Sequence, residues 1–357
     1  MLYREVMKPE VLLSLLLGTV LSSAILGYPP LYYIYLVHEI LFVLIFLWFI
    51  SIFLVKTLRK PLEIITLFFL CLFVVLSPVN KILAPDYESE FIDDPVTHAD
   101  YLAEEIGERP YMSENEKIAA AYIRDVLEEK GFPVVDNVFV LVEGKREDAL
   151  IICAHYDTVP GSPGADDNSS GVAVLLGLTI PENPQYTIVL AFFTGEEVGL
   201  VESRYFATES DRKMVGVVCV DTVGVGEDFH ISSLKEGRAT SFFLSQVVYG
   251  LSDTGVPSIG PLYSDHVPFN EKGVRAVGLT RSTNRKYPHI HSELDVTVDN
   301  GKLVETGETV QEVVLHFSYS ESPYLFVYEA VICAIIISGI LAFVVENLMN
   351  RIKMLKE

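Results

Sequence analysis

Basic residues are scarce in this chain of 357 residues: 26 Lys and Arg stand against 48 Asp and Glu. Residues 84–322 hold 17 of those bases and 41 of the acids. So acidic a stretch repels phosphates, which excludes nucleic acid as a partner and disfavours lying flat on an anionic lipid surface. Cysteine is also sparse, with four in all, and none forms a CxxC pair. Neither a disulfide framework nor a thiolate metal site is therefore indicated. Internal repeats and low-complexity linkers are absent.

Apolar residues are plentiful, at 50% of the chain with a mean hydropathy of +0.36. They concentrate at the two ends. Four stretches, about 10–28, 31–55, 61–83 and 323–346, approach or exceed the length that crosses ~30 Å of hydrocarbon. A cleavable signal peptide is the other reading of the first, but Ser14, Gly18 and Ser22 repeat on one helical face, as in a packed membrane helix. His38 and Glu39 lie in the second stretch without an HExxH pattern and are read as packing or interface residues.

Basic clusters give the orientation. Arg4 and Lys8, then Lys56, Arg59 and Lys60, then Arg351, Lys353 and Lys356 all fall on one side if both termini are cytoplasmic. Residues 84–322 are then outside the cell membrane. The expected organisation is three membrane helices in 1–83, a globular domain in 84–322, and a last membrane helix with a short basic tail in 323–357.

Within the domain, 97–107 and 113–130 have helical periodicity. Ser113 with Glu116 suggests a capping box and Gly131 a stop. Short β-branched runs at 134–142, 149–154, 187–193, 215–220 and 275–280 read as strands. Helical patterns at 169–180, 200–208 and 240–251 lie among them. This alternation implies an α/β fold, a three-layer α/β/α sandwich with a mixed, largely parallel sheet.

Polar residues fall at the strand ends. ALIICAHYD leads into His155 and Asp157, TIVLAFFTGEE into Glu196 and Glu197, and GVVCVD into Asp221. Open α/β sheets bind ligands at these C-terminal ends. Asp167 sits in the turn GADDNSSG, and His291 follows the 275–280 run. Imidazole and carboxylate suit zinc. His155, Asp167, Glu197, Asp221 and His291 are too many for one open catalytic ion and fit two if a carboxylate bridges. Glu196, beside a ligand yet free, suits a general base. Asp157, on the same strand face as His155, suits a partner that orients the imidazole.

The strings HYDTVPGSPGADDNSSG (155–171), FTGEEVGLVESRYF (193–206), VDTVG (220–224), SDHVPF (264–269) and IHSELD (290–295), with ERPYMSENEKIAAAYI (108–123) before them, resemble the M28 family of zinc peptidases. The resemblance implies Zn2+, two ions per chain, with Asp167 rather than Asp166 as the bridge. One ion would take His155, Asp167 and Asp221, and the other Asp167, Glu197 and His291. Glu196 would be the base for a metal-bridging hydroxide, and Asp265 and His266 would line the substrate cleft. It implies a peptidase, an aminopeptidase acting on peptide or protein substrates, which the apolar stretches would anchor in a lipid bilayer. A glutaminyl-cyclase-like acyltransferase with one zinc and a non-catalytic receptor of the same fold are the alternatives. Where carboxypeptidase members carry a tyrosine before the last histidine, this chain has Ile290, leaving His266 as the candidate to support an oxyanion.

Overall fold

The computed structural model describes residues 81, 83–87, 91, 94–135, 138–233, 238–259, 262–281 and 287–329. The apolar stretches 10–28, 31–55, 61–83 and 323–346 lie outside the described residues, apart from residues 81, 83 and 323–329. Among the described residues no helix is long and apolar enough to cross a membrane. The chain divides into two compact units, Ala84–Tyr324 and the pair Met1–Leu83 with Leu325–Glu357.

All of the following elements belong to Ala84–Tyr324. Helix α1 spans Pro95–Asp100 and continues, more loosely wound, through Tyr101–Ile106. Helix α2 is Glu114–Glu129. Ser113 caps it as expected, its hydroxyl accepting from Glu116 N at 3.1 Å. The reciprocal half of the capping box is not formed, because Ser113 N already donates to Pro110 O. Glu116 instead accepts from Met112 N at 2.6 Å and from the hydroxyl of Thr194. Gly131, at φ 81°, ends the helix in the left-handed region that glycine tolerates.

Strands β3 (Arg146–His155), β4 (Tyr186–Phe193), β5 (Met214–Val220) and β8 (Ala276–Thr280) occupy the expected runs, whereas the run 134–142, expected as one strand, divides into β1 (Val134–Val135) and β2 (Phe139–Val142), which pair with each other. Strands β6 (His230–Ser233) and β7 (Val256–Ile259) are additional; each has only four residues, too few for alternation to register. The order is β1-β2-β4-β3-β5-β8-β6-β7. The central four, β4-β3-β5-β8, are parallel, while β1–β2, β2–β4 and β6–β8 pair antiparallel. The sheet is therefore mixed with a parallel centre.

Helices α3 (Ser170–Leu176), α4 (Val201–Glu209), α5 (Arg238–Leu251), α6 (Val267–Glu271) and α7 (Asn300–Tyr319) complete the layers. On one face Ile151, Cys153, Val189, Phe193, Val217 and Cys219 pack with Phe206 of α4 and Phe269 of α6. Each such side chain contributes roughly 1.5–3 kcal/mol on burial, and the two cysteines act here as small apolar groups. The other face is covered by α3, α5 and α7; Gly216, facing away from Val217, leaves room for Leu244 of α5. The chain runs from β3 to β4 on one side of it and then crosses to β5 on the other. That reversal opens a crevice beyond the strand ends.

One buried cation ties the loops on this crevice together. Arg109, 0% exposed, donates from Nε to Tyr156 O, from Nη1 to Leu102 O, Gly107 O and Pro163 O, and from Nη2 to Gly164 O and Ser169 Oγ. Burial lowers its pKa to about 10, against the pull of Asp157, Asp295 and Asp167, so it stays charged at neutral pH. A lysine here would keep the charge but could not fill this fan of carbonyls. Arg109→Lys should therefore destabilise the domain by roughly 3–5 kcal/mol, several buried acceptors being left unpaired. Denaturant unfolding of the full chain checks this, and an unchanged midpoint would contradict it.

Candidate metal centre

His155 is the last residue of β3, and its ring is almost fully buried. Its Nε2 lies 3.3 Å from Asp167 Oδ1 and 3.7 Å from Asp221 Oδ1. The other carboxylate oxygen, Asp167 Oδ2, lies 3.0 Å from Nε2 of His291. That same nitrogen is 3.2 Å from Glu197 Oε2. Two clusters result, His155–Asp167–Asp221 and Asp167–Glu197–His291, each with ligand atoms within 4.8 Å of one another. Asp167 belongs to both and offers one oxygen to each.

Local backbone explains how each side chain arrives. Asp221 follows β5 and is held by its N–H on Leu279 O of β8. Asp167 lies in the turn 164–169, which opens on Gly164 at φ 64°. A Cβ at Gly164 would collide with Asp167 O and the Thr158 methyl, so only glycine fits. The Asp167–Asn168 peptide is cis. Asn168 Oδ1 accepts from Gly171 N and Thr222 N, and its amide donates to Val220 O, joining this turn to the end of β5. Asp166 also joins them, its Oδ1 accepting from Gly224 N at 2.7 Å.

Asp157 has a broader contact set than expected. Its Oδ1 is 3.6 Å from His155 Nδ1, while its own carbonyl oxygen is nearer, at 3.2 Å. Its two carboxylate oxygens accept from Glu196 N and Glu197 N, at 3.2 and 3.3 Å. It thus holds the main chain that carries both glutamates.

Asp265 and His266 lie just before α6, and both are wholly buried rather than presented at a surface. Ring packing against β8 accounts for this: a Cβ on Gly278 would meet His266 Nδ1 at 3.0 Å. Burial lowers the pKa of His266 to about 4. Burial likewise pushes Asp265 up to about 7, with His155 and Ser203 pulling it down and Asp157 and Asp221 adding to the rise.

Charge is badly unbalanced at the centre. Burial pushes Glu196 up to about 9, reinforced by Asp221, Asp265 and Glu197 and opposed by His155. Glu197 is raised too, first by burial. Burial alone would raise Asp167, yet contacts with His155 and His291 hold it well below the usual carboxylate range. Hydrogen bonding to Asp167 and Glu197 lifts His291 to about 10. His155 Nε2, Glu197 Oε1 and Asp221 Oδ1 are buried without a hydrogen-bond partner. Convergent lone pairs with no donor between them fit a cation, and a nitrogen-and-carboxylate set fits zinc.

Residues 137–314 match the model of peptidase family M28. These residues form a peptidase family M28 domain. Aminopeptidase YwaD of Bacillus subtilis is 28% identical over 196 residues, covering 48% of this chain and 41% of that protein. A vacuolar membrane protease of Candida albicans is 36% identical over 122 residues, covering 33% of this chain and 14% of its own length. The chain thus spans less than half of these curated relatives. Among solved structures, a zinc aminopeptidase from Bacillus subtilis superposes with a TM-score of 0.52 at 15% identity, covering 62% of this chain and 93% of its own. The Porphyromonas gingivalis glutaminyl cyclase gives 0.55 at 20% identity, covering 62% and 96%. At such identities the likeness establishes the zinc-aminopeptidase fold.

His291 must lose its proton to become a ligand, so acid weakens metal binding and base strengthens it. Zinc added to metal-free M28 domain in the full chain at pH 7 should release at least about one proton. Calorimetry in buffers of different ionisation enthalpy reads this directly. Equal heats in all buffers would contradict it.

Proposed function

We propose that the chain is a membrane-anchored, zinc-dependent exopeptidase, an aminopeptidase that hydrolyses peptides with two zinc ions. The division of Asp167 between His155 and His291 carries this reading. His155, Asp167 and Asp221 would hold one ion; Asp167, Glu197 and His291 would hold the other. When bound, the ions would acidify a water and polarise the scissile carbonyl.

The remaining work belongs to the chain's own groups. Glu196 belongs to neither ligand cluster, and its backbone is pinned by Asp157. Its carboxylate takes a proton from the attacking water and delivers it to the departing amine. Asp157 keeps Glu196 and Glu197 in register, so that the ligand and the base stay side by side. Membrane attachment is supported by the four apolar stretches and by the vacuolar membrane proteases among the relatives. The basic clusters put the domain on the non-cytoplasmic side.

Glu196→Gln should lower kcat by about 10²–10⁴-fold, with zinc content unchanged. Digestion of a peptide library by the parent should release single N-terminal residues, and only with zinc present. Cyclisation of N-terminal glutamine by a chain holding one zinc would replace this reading with an acyltransferase. A second outcome concerns placement. Protease added to intact cells should cut within 84–322 and spare both termini, whereas cleavage only after permeabilisation would reverse the orientation.

A further inference from the structure

His291 is not held by a strand end. It sits in a turn at φ 63°, with a side chain 53% exposed. The turn closes on itself: Ser292 N and Oγ donate to His289 O, Leu294 N donates to Ser292 Oγ, and Asp295 N donates to Ser292 O. Such a turn keeps its shape wherever it lies, so something else must fix it beside Asp167.

Asp295, four residues after His291 and 0% exposed, supplies that link. Its Oδ1 accepts from Asp166 N at 2.9 Å and its Oδ2 from Asp167 N at 3.0 Å. Its carbonyl oxygen accepts from Ala165 N at 3.0 Å. Three successive amides of the Asp167 turn are thus gripped by one residue. Tyr287, at the start of the same segment, donates its hydroxyl to Asp295 Oδ1 at 3.1 Å. Arg109 grips the opposite side of that turn through its carbonyls, at Pro163 and Gly164.

We infer that Asp295 is a positioning residue that docks the His291 turn onto the Asp167 turn and thereby assembles the Asp167–Glu197–His291 half of the centre. The inference rests on the two-zinc reading above. The other half depends on it less. His155 and Asp221 come from the ends of adjacent strands, and Asn168 and Arg109 hold the Asp167 turn independently of Asp295. Loss of the clamp therefore falls on one ion. An asparagine at 295 keeps the size and one acceptor, but turns an NH2 group toward one of the two amide donors.

Zinc binding by the full chain in detergent, stripped of metal and titrated against a chromophoric chelator, tests this without reference to turnover. The parent should bind two ions. Asp295→Asn should weaken one of them about 10–100-fold and leave the other within about threefold. Tyr287→Phe, a milder change that keeps both amide bonds, should weaken the same ion by roughly threefold. In a His291→Ala background, which already lacks that half, adding Asp295→Asn should leave the remaining affinity within about threefold. Equal weakening of both ions, or two unchanged affinities in Asp295→Asn, would overturn the inference alone. A parent that takes up one zinc would overturn the two-zinc reading and the inference with it. Should Asp295→Asn fail to fold, Tyr287→Phe still decides, since no selective loss there contradicts the docking role.

Discussion

Uncompensated charge is the constraint on which this structure turns. Asp157, Asp167, Glu197 and Asp221, all largely buried, come together with the buried His155 and the half-exposed His291. Carboxylates crowded in this way cost several kcal/mol each unless a positive charge answers them. Hydrogen bonds to Asp167 and Glu197 favour the protonated form of His291, burial favours the protonated form of Glu196, and two imidazoles pull Asp167 down. Such an arrangement is poised to exchange protons for a cation, and the surrounding fold exists to keep it from relaxing apart.

That resistance comes from two layers of support. The parallel strands β3, β4 and β5 deliver His155, the Glu196–Glu197 loop and Asp221 to one crevice. Strand hydrogen bonding fixes His155 and Asp221, and Asp157 holds the loop that carries the two glutamates. The turn bearing Asp167 is held by Arg109 at its carbonyls and by Asn168 against the end of β5, and Asp295, at its amides, joins the His291 turn to it. A segment gripped through both its donors and its acceptors resists changing conformation.

Much of this was legible in the sequence. Apolar runs ending in His155, Glu197 and Asp221 announce both the sheet and the crevice, because burial on both faces makes parallel strands read as unbroken hydrophobic stretches. Strands β6 and β7 were not legible, being only four residues long. Arg109 and Asp295 were visible as letters within ERPYM and IHSELD but not as clamps. Their partners are main-chain atoms some 50 and 130 residues away, and main-chain acceptors leave no mark on a sequence. Burial of Asp265 and His266 was hidden for a related reason. Polar residues in a loop imply exposure, and only the approach of the ring to Gly278 reveals that the loop folds under.

Glu196 and Glu197 show how neighbours of identical chemistry come to differ. They share a backbone clamp, since both amides donate to Asp157. Glu197 turns its carboxylate to His291 and is committed to that contact. Glu196 lacks such a cationic contact, and burial with three nearby carboxylates pushes it up to about 9. A carboxyl group so destabilised as an anion is a strong base once ionised. A nearby cation would lower that value toward the working range, because opposite charge favours the ionised form. On the proposed reading, the charge imbalance that suits a metal would also tune the base beside it. Ligand and base would then need no separate origin; one crowded crevice would impose both roles, and the direction each side chain takes from the Asp157 clamp would decide which residue fills which.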